Sequence, residues 1–184
     1  MDKIKVLGIA GSLRKNSFNK ELLRCASEEA GENVSLEIFN LEGIPIFNQD
    51  QENEPIEKVL EFKSRIKSAD AILIATPEYN YSIPGPLKNA MDWASRPPGD
   101  NVWNEKPVAI MSAAGGYLGG SRAQYHLRQT FIYLNMHPIN KPEVIVPFFN
   151  EKVDSEGRLV DKHTREKVRE LVAALYSWTI RLKS

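Results

Sequence analysis

The segment Gly11-Ser12-Leu13-Arg14-Lys15-Asn16-Ser17-Phe18-Asn19 follows an apolar run, Ile4 to Ile9, that reads as a buried first strand. A strand-to-helix turn of this composition can aim backbone N–H groups, the Ser12 and Ser17 hydroxyls, the Asn19 amide and the Arg14 guanidinium at one anion. The dipole of the helix that follows adds to the attraction. The guest this chemistry suits is a terminal phosphate. A nucleoside-triphosphate loop would need a Gly-Lys-Ser/Thr ending, and a dinucleotide turn would need three glycines at fixed spacing; the segment has neither. A Gly-Ser pair also opens ordinary N-capped helices, so the rest of the chain has to discriminate.

Two further segments carry ligand-like chemistry. Thr76-Pro77-Glu78-Tyr79-Asn80-Tyr81-Ser82-Ile83-Pro84-Gly85 joins two aromatics, an amide and an acid to prolines that restrict the backbone. Such a loop can wall a planar heterocycle, or it can be a stiff turn whose tyrosines pack on neighbouring helices. Ser112-Ala113-Ala114-Gly115-Gly116-Tyr117-Leu118-Gly119-Gly120-Ser121-Arg122 is rich in small residues that let a ligand approach the backbone. Phosphate donors, an aromatic wall and a close-fitting backbone together describe a phosphorylated, planar, partly apolar cofactor, and flavin mononucleotide (FMN) fits that description.

The elements that position these segments alternate along the chain. Strand-length apolar runs cover Ile4 to Ile9, Val34 to Phe39, Ala71 to Ala75, Val108 to Met111 and Glu143 to Val146. Helix-period segments cover Phe18 to Ala30, Pro55 to Ser68, Pro84 to Ala94, Ser121 to Leu134 and Lys162 to Leu182. Five strand-helix units predict a doubly wound α/β fold, a five-stranded parallel sheet in a three-layer αβα sandwich. The second strand alternates, Val34, Leu36 and Ile38 against Ser35 and Glu37, as an edge strand does; the third and fourth are continuously apolar and therefore central. The order 2-1-3-4-5 follows. Its switch point lies between strands one and three, where ligands of open α/β sheets bind. Residues 42–54 read as a long polar connection.

At 184 residues, 42% of them hydrophobic, the chain suits one domain spanning 1–184 with an ample core. Lys plus Arg and Asp plus Glu number 24 each, so no net field favours nucleic acid or an anionic membrane. The single cysteine, Cys25, falls inside the first helix and reads as a buried thiol in a reducing compartment. The charged start, Asp2, Lys3 and Lys5, with only a short apolar run, predicts neither a signal peptide nor a membrane span, hence a cytoplasmic protein. His126, His137 and His163 have no metal-site spacing. No Gly-x-Ser-x-Gly elbow or Cys-x-x-Cys pair occurs.

The chain resembles the NADPH-dependent FMN reductase family of flavodoxin-like proteins, in particular its chromate and quinone reductase branch. The resemblance rests on the first loop, on the second loop running into Leu87-Lys88-Asn89-Ala90-Met91-Asp92-Trp93, and on Gly119-Gly120-Ser121-Arg122-Ala123-Gln124-Tyr125-His126-Leu127-Arg128. It implies that the segment Ser12, Leu13, Arg14, Lys15, Asn16, Ser17, Phe18, Asn19 binds the cofactor, with Ser12, Arg14, Ser17 and Asn19 on the FMN phosphate. Pro77, Glu78, Tyr79 and Asn80 would line the isoalloxazine and ribityl chain, while Ser112, Ala113, Ala114, Gly115 and Gly116 would close the far side. Some relatives carry a hydroxyl where this chain has Ala113 and Ala114, so contacts there would come from the backbone. The resemblance further implies homodimers or homotetramers in which Tyr81, Arg122, Tyr125 and Glu143 supply polar subunit contacts.

The activity implied is transfer of a hydride from NADPH or NADH to noncovalent FMN at its N5 atom, and then to a quinone or related acceptor such as chromate, an azo or a nitro compound. The flavin carries that chemistry, so no catalytic side chain is required. A flavodoxin-type electron carrier without nicotinamide activity is the rival reading. A phosphorelay receiver is disfavoured because the first strand ends Gly8-Ile9-Ala10-Gly11, without the acidic cluster a receiver needs.

Overall fold

The computed structural model describes residues 3–184. Its sheet has the order β2-β1-β3-β4-β5, all pairs parallel, with a further segment, β6, also paired to β4. The strands are β1 (Ile4–Ala10), β2 (Val34–Phe39), β3 (Ala71–Thr76), β4 (Pro107–Ala113), β5 (His137–Pro138) and β6 (Val144–Val146). The helices are α1 (Phe18–Glu28), α2 (Glu57–Ser68), α3 (Gly85–Ala94), α4 (Ser121–Leu134) and α5 (Lys162–Lys183).

The period of two in each strand sorts the core into two clusters. Val6, Leu73, Ala75 and Met111 face α1 and α5 through Leu22, Leu23, Val168 and Leu171. Leu7, Ile9, Ile72, Ile74 and Ile110 face Phe62, Leu87 and Phe131 of α2, α3 and α4. Strands buried on both faces need no polar alternation, which is why β3 and β4 read as unbroken apolar runs.

The structure refines the sequence expectations at four places. The fifth sheet position is two short pieces rather than one strand: His137–Pro138 pairs with the start of β4 and Val144–Val146 with its end. Pro138 and Pro142 both lack the N–H a continuous ladder would use. In β2 the alternation stops at Ile38, which is 44% exposed, while Phe39 turns to the opposite face and packs on Phe62 at 4.9 Å. The 42–54 connection is pinned to α3, because Pro45 O accepts from Asn89 Nδ2 and Trp93 Nε1, both at 2.8 Å. The first two predicted helices also run slightly long: α1 stops at Glu28, and α2 starts at Glu57.

Candidate functional site

The turn after β1 is locked to the end of β3 by the Gly11 N–H, which donates to Ala75 O at 2.8 Å. A Cβ at Gly11 would lie 3.0–3.2 Å from side-chain atoms of Pro84, Leu87 and Pro77, so a side chain there would crowd this close approach. Ser12 is buried, and its Oγ accepts from the Arg14 N–H at 3.3 Å and lies 3.2 Å from the Tyr79 phenol oxygen. Ser17 is the N-cap of α1, its Oγ accepting from the Asn19 N–H at 3.2 Å. The capping and anion-binding readings of this turn are thus compatible: the cap sets the helix whose N-terminus faces the loop.

Asn19 behaves differently from a free ligand donor. Its Nδ2 donates to Ala113 O and its Oδ1 accepts from Ala113 N–H, both at 3.0 Å, so the amide ties α1 to the end of β4. The exposed Arg14 carries its guanidinium carbon 5.8 Å from the Phe18 ring centroid.

The second loop is a tight hairpin. Tyr79 and Ser82 exchange hydrogen bonds of 3.1 and 3.0 Å, and the two residues between them, Asn80 and Tyr81, have φ of 49° and 69°. Positive φ at both central positions is a type I′ turn. Pro77 is buried beneath it. Glu78 turns toward α4: its carboxylate accepts from the Arg122 main-chain N–H at 3.1 Å and pairs with the Arg122 guanidinium. The hydrogen bond from the guanidinium to Glu78 raises the Arg122 pKa above its ordinary value. The guanidinium lies 3.3 Å from the Tyr81 ring centroid, and Ser82 Oγ lies 2.9 Å from His126 Nδ1.

In the third loop, the N–H of Ala114 donates to Val146 O and its carbonyl accepts from the Phe149 N–H, both at 3.1 Å. Gly119 and Gly120 have φ of 58° and 90°. A Cβ on Gly119 would fall 2.9 Å from the main chain of Val146 and Pro147, and one on Gly120 would fall 2.8 Å from Ser112 Cβ. These glycines are set by packing on β6 and β4.

The three loops meet in a cleft of about 140 Å³ bordered by Ser12, Arg14, Ser17, Phe18, Asn19, Pro77, Glu78, Tyr79, Ala113, Ala114 and Gly115. Six other expected residues do not border it. Leu13, Lys15 and Asn16 point outward, Lys15 and Asn16 bordering a separate hollow beside residues 153–157. Asn80 sits at the exposed hairpin tip, and Gly116 is exposed, with no neighbour within 4 Å of its Cβ position. Ser112 is fully buried, its Oγ accepting from Gln124 Nε2 at 2.8 Å.

The segment after β6, which the sequence reading did not point to, packs against the loops from outside the cleft lining. Phe149 stacks on Phe18 at 4.9 Å, and Asn150 Nδ2 would lie 3.4 Å from a Cβ on Gly115. The legible signal was an aromatic pair, Phe148-Phe149, in another loop at a strand's carboxyl end. Among the described residues no group of three His, Cys, Asp or Glu could hold a metal, and no helix is long and apolar enough to cross a membrane. Cys25 is buried, which pushes its thiol up to about 11.

Electrostatically the cleft favours an anion. The α1 N-terminus and Arg14 supply positive potential, and the bordering carboxylate, Glu78, is neutralised by Arg122. Hydroxyl and cationic donors at one end, with a tyrosine and small residues beyond, suit a phosphomonoester attached to a planar ring.

A parallel sheet in this order, with the candidate anion site at its switch point, defines a flavodoxin-like fold. Residues 4–151 match the NADPH-dependent FMN reductase family, and the chain belongs to it. Family membership makes FMN the cofactor and NAD(P)H the electron donor. Similar proteins include an NAD(P)H-dependent FMN reductase of Pseudomonas aeruginosa, 46% identical over 99% of this chain and 98% of that one. An NADPH:quinone oxidoreductase of Arabidopsis thaliana is 46% identical over 98% of this chain and 94% of that protein. Among solved structures, FerB, a flavoenzyme NAD(P)H:(acceptor) oxidoreductase from Paracoccus denitrificans, superimposes with a TM-score of 0.89 at 32% identity. That superposition covers 97% of this chain and 98% of FerB.

Proposed function

We propose that this chain is an FMN-dependent NAD(P)H oxidoreductase whose acceptors are quinones, with chromate, azo and nitro compounds as further substrates of the same open site. The carrying observation is the convergence of Ser12, Ser17, Arg14 and the α1 N-terminus on one end of a cleft that Tyr79 and Ala113 to Gly115 continue. Bound FMN supplies the hydride-accepting and hydride-returning chemistry. In this reading Ser12, Ser17 and Arg14 hold the phosphate. Leu13, Lys15 and Asn16 contribute main-chain N–H groups, since their side chains stand outside. Asn19 acts indirectly, by fixing Ala113 relative to α1. Pro77 to Tyr79 wall one side of the flavin, and the main chain from Ala113 to Gly115 closes the other.

Residues 1–184 on this proposal form one cytoplasmic domain that assembles as a homodimer or homotetramer. Tyr125, Ile132 and Tyr133, 52%, 83% and 83% exposed on α4, supply an aromatic and aliphatic face for such assembly.

Rapid mixing of the FMN-loaded protein with NADPH or NADH under anaerobic conditions tests the activity. Bleaching of the flavin band followed by its return on adding a quinone is expected. Steady-state double-reciprocal plots should give parallel lines, because donor and acceptor use the same face in turn. A flavin that neither nicotinamide reduces would favour the electron-carrier reading instead.

A further inference from the structure

The second loop carries strain that its own sequence does not relieve. Asn80 tolerates the left-handed region, but Tyr81, at φ 69°, is an aromatic residue in a conformation that favours glycine. Such turns persist where surrounding contacts over-determine them. The contacts here come from α4. Gly120 precedes that helix without a side chain to cap it, and Glu78 fills the role from another loop by accepting the Arg122 N–H at 3.1 Å. The same carboxylate, 7% exposed, pairs with the Arg122 guanidinium, whose flat face covers Tyr81 at 3.3 Å. Arg122 therefore closes a loop of contacts that begins at Glu78 and ends three residues later.

We propose that Glu78 is a positioning residue, which by capping α4 and gripping Arg122 holds the hairpin in the shape that walls the cleft, and thereby sets how tightly FMN is retained. The retention half of the proposal rests on the functional reading above; the clamp itself does not. It also assigns Arg122 a role inside its own chain, distinct from the subunit contact that the family resemblance implies.

Hydrogen–deuterium exchange on the flavin-free full chain tests the clamp. The Tyr79 and Ser82 amides are hydrogen-bonded to each other's carbonyls, so their exchange reports the hairpin directly. E78A should speed exchange at both by about tenfold, and E78Q, which keeps an acceptor, by less. In an R122A background, E78A should add less than threefold, because its partner is already gone. In the FMN-loaded protein the same four variants should order the FMN dissociation constants identically, E78A weakening affinity about tenfold. Unchanged exchange in E78A, or effects of E78A and R122A that simply multiply, would overturn the clamp. Faster exchange with unchanged FMN affinity would overturn its role in retention. A native chain that binds no FMN would sink the functional reading and the retention role together, while the exchange data still decide the clamp.

Discussion

Asn19 and Ala113, 94 positions apart in the chain, exchange two hydrogen bonds of 3.0 Å, the side-chain amide of one imitating a strand partner for the other. The contact is buried and joins the first turn of α1 to the last residue of β4. It fixes the spacing between the turn after β1 and the third loop. A residue whose type suits anion binding thus serves the site by holding two walls apart at a set distance.

Asn19→Ala should destabilise the fold by roughly 2–4 kcal/mol, because it leaves a buried N–H and a buried carbonyl of Ala113 without partners. Asn19→Asp should fare little better, since a carboxylate cannot donate to Ala113 O. Urea unfolding followed by circular dichroism measures the loss. A midpoint unchanged in both variants would show that the pair contributes nothing.

Arg14 is exposed, with its guanidinium carbon 5.8 Å from the Phe18 ring centroid, so its removal should spare stability and weaken cofactor binding. Loss of one charge-assisted phosphate contact corresponds to roughly tenfold to a hundredfold in FMN affinity. Arg14→Lys should recover part of that. Calorimetric titration of folded Arg14→Ala with undiminished affinity would remove Arg14 from the site.

Asp161 caps α5, its Oδ2 accepting from the Thr164 N–H at 2.9 Å and the Thr164 hydroxyl at 2.5 Å. The side-chain and main-chain bonds from Thr164 hold its carboxyl below the ordinary 3.8. A folded-state pKa below the unfolded one gives stability that is complete at neutral pH and lost as the pH falls through the depressed value. Asp161→Ala should therefore cost about 1 kcal/mol at pH 7. The gap between the two proteins should narrow below pH 3.8. Thermal unfolding across an acid series checks this, and a gap that persists undiminished into strong acid would contradict it.

Cys25 is fully buried and its thiol is pushed up to about 11 by that burial. At pH 8 the native protein should react with iodoacetamide at least roughly a hundredfold more slowly than the urea-unfolded chain, since only the thiolate attacks. Mass spectrometry of timed quenches gives both rates. Comparable rates would mean that the α1 packing opens readily.

The layer architecture was legible in residue order alone, because unbroken apolar runs such as Ala71 to Ala75 and Val108 to Met111 are stable only when covered on both faces. Residue order also located the three loops at the carboxyl ends of β1, β3 and β4, since local turn and capping chemistry is written in adjacent residues. Ser17, Pro77 and Gly115 were legible on that basis. Tertiary structure decided which of those side chains reach the cleft. Asn19 could have faced the turn or the sheet, and the Ala113 N–H and carbonyl, one residue beyond the reach of β3, took its amide. Ser112 could have closed the site, but Gln124, brought alongside by α4, takes its hydroxyl. The split of the fifth sheet position and the entry of Phe149 beside Phe18 likewise depend on partners far along the chain. Periodicity reports how deeply a residue is buried and on which face, but hydrogen-bond partners are chosen by proximity in space, and a buried polar group takes whichever partner the packing leaves within reach.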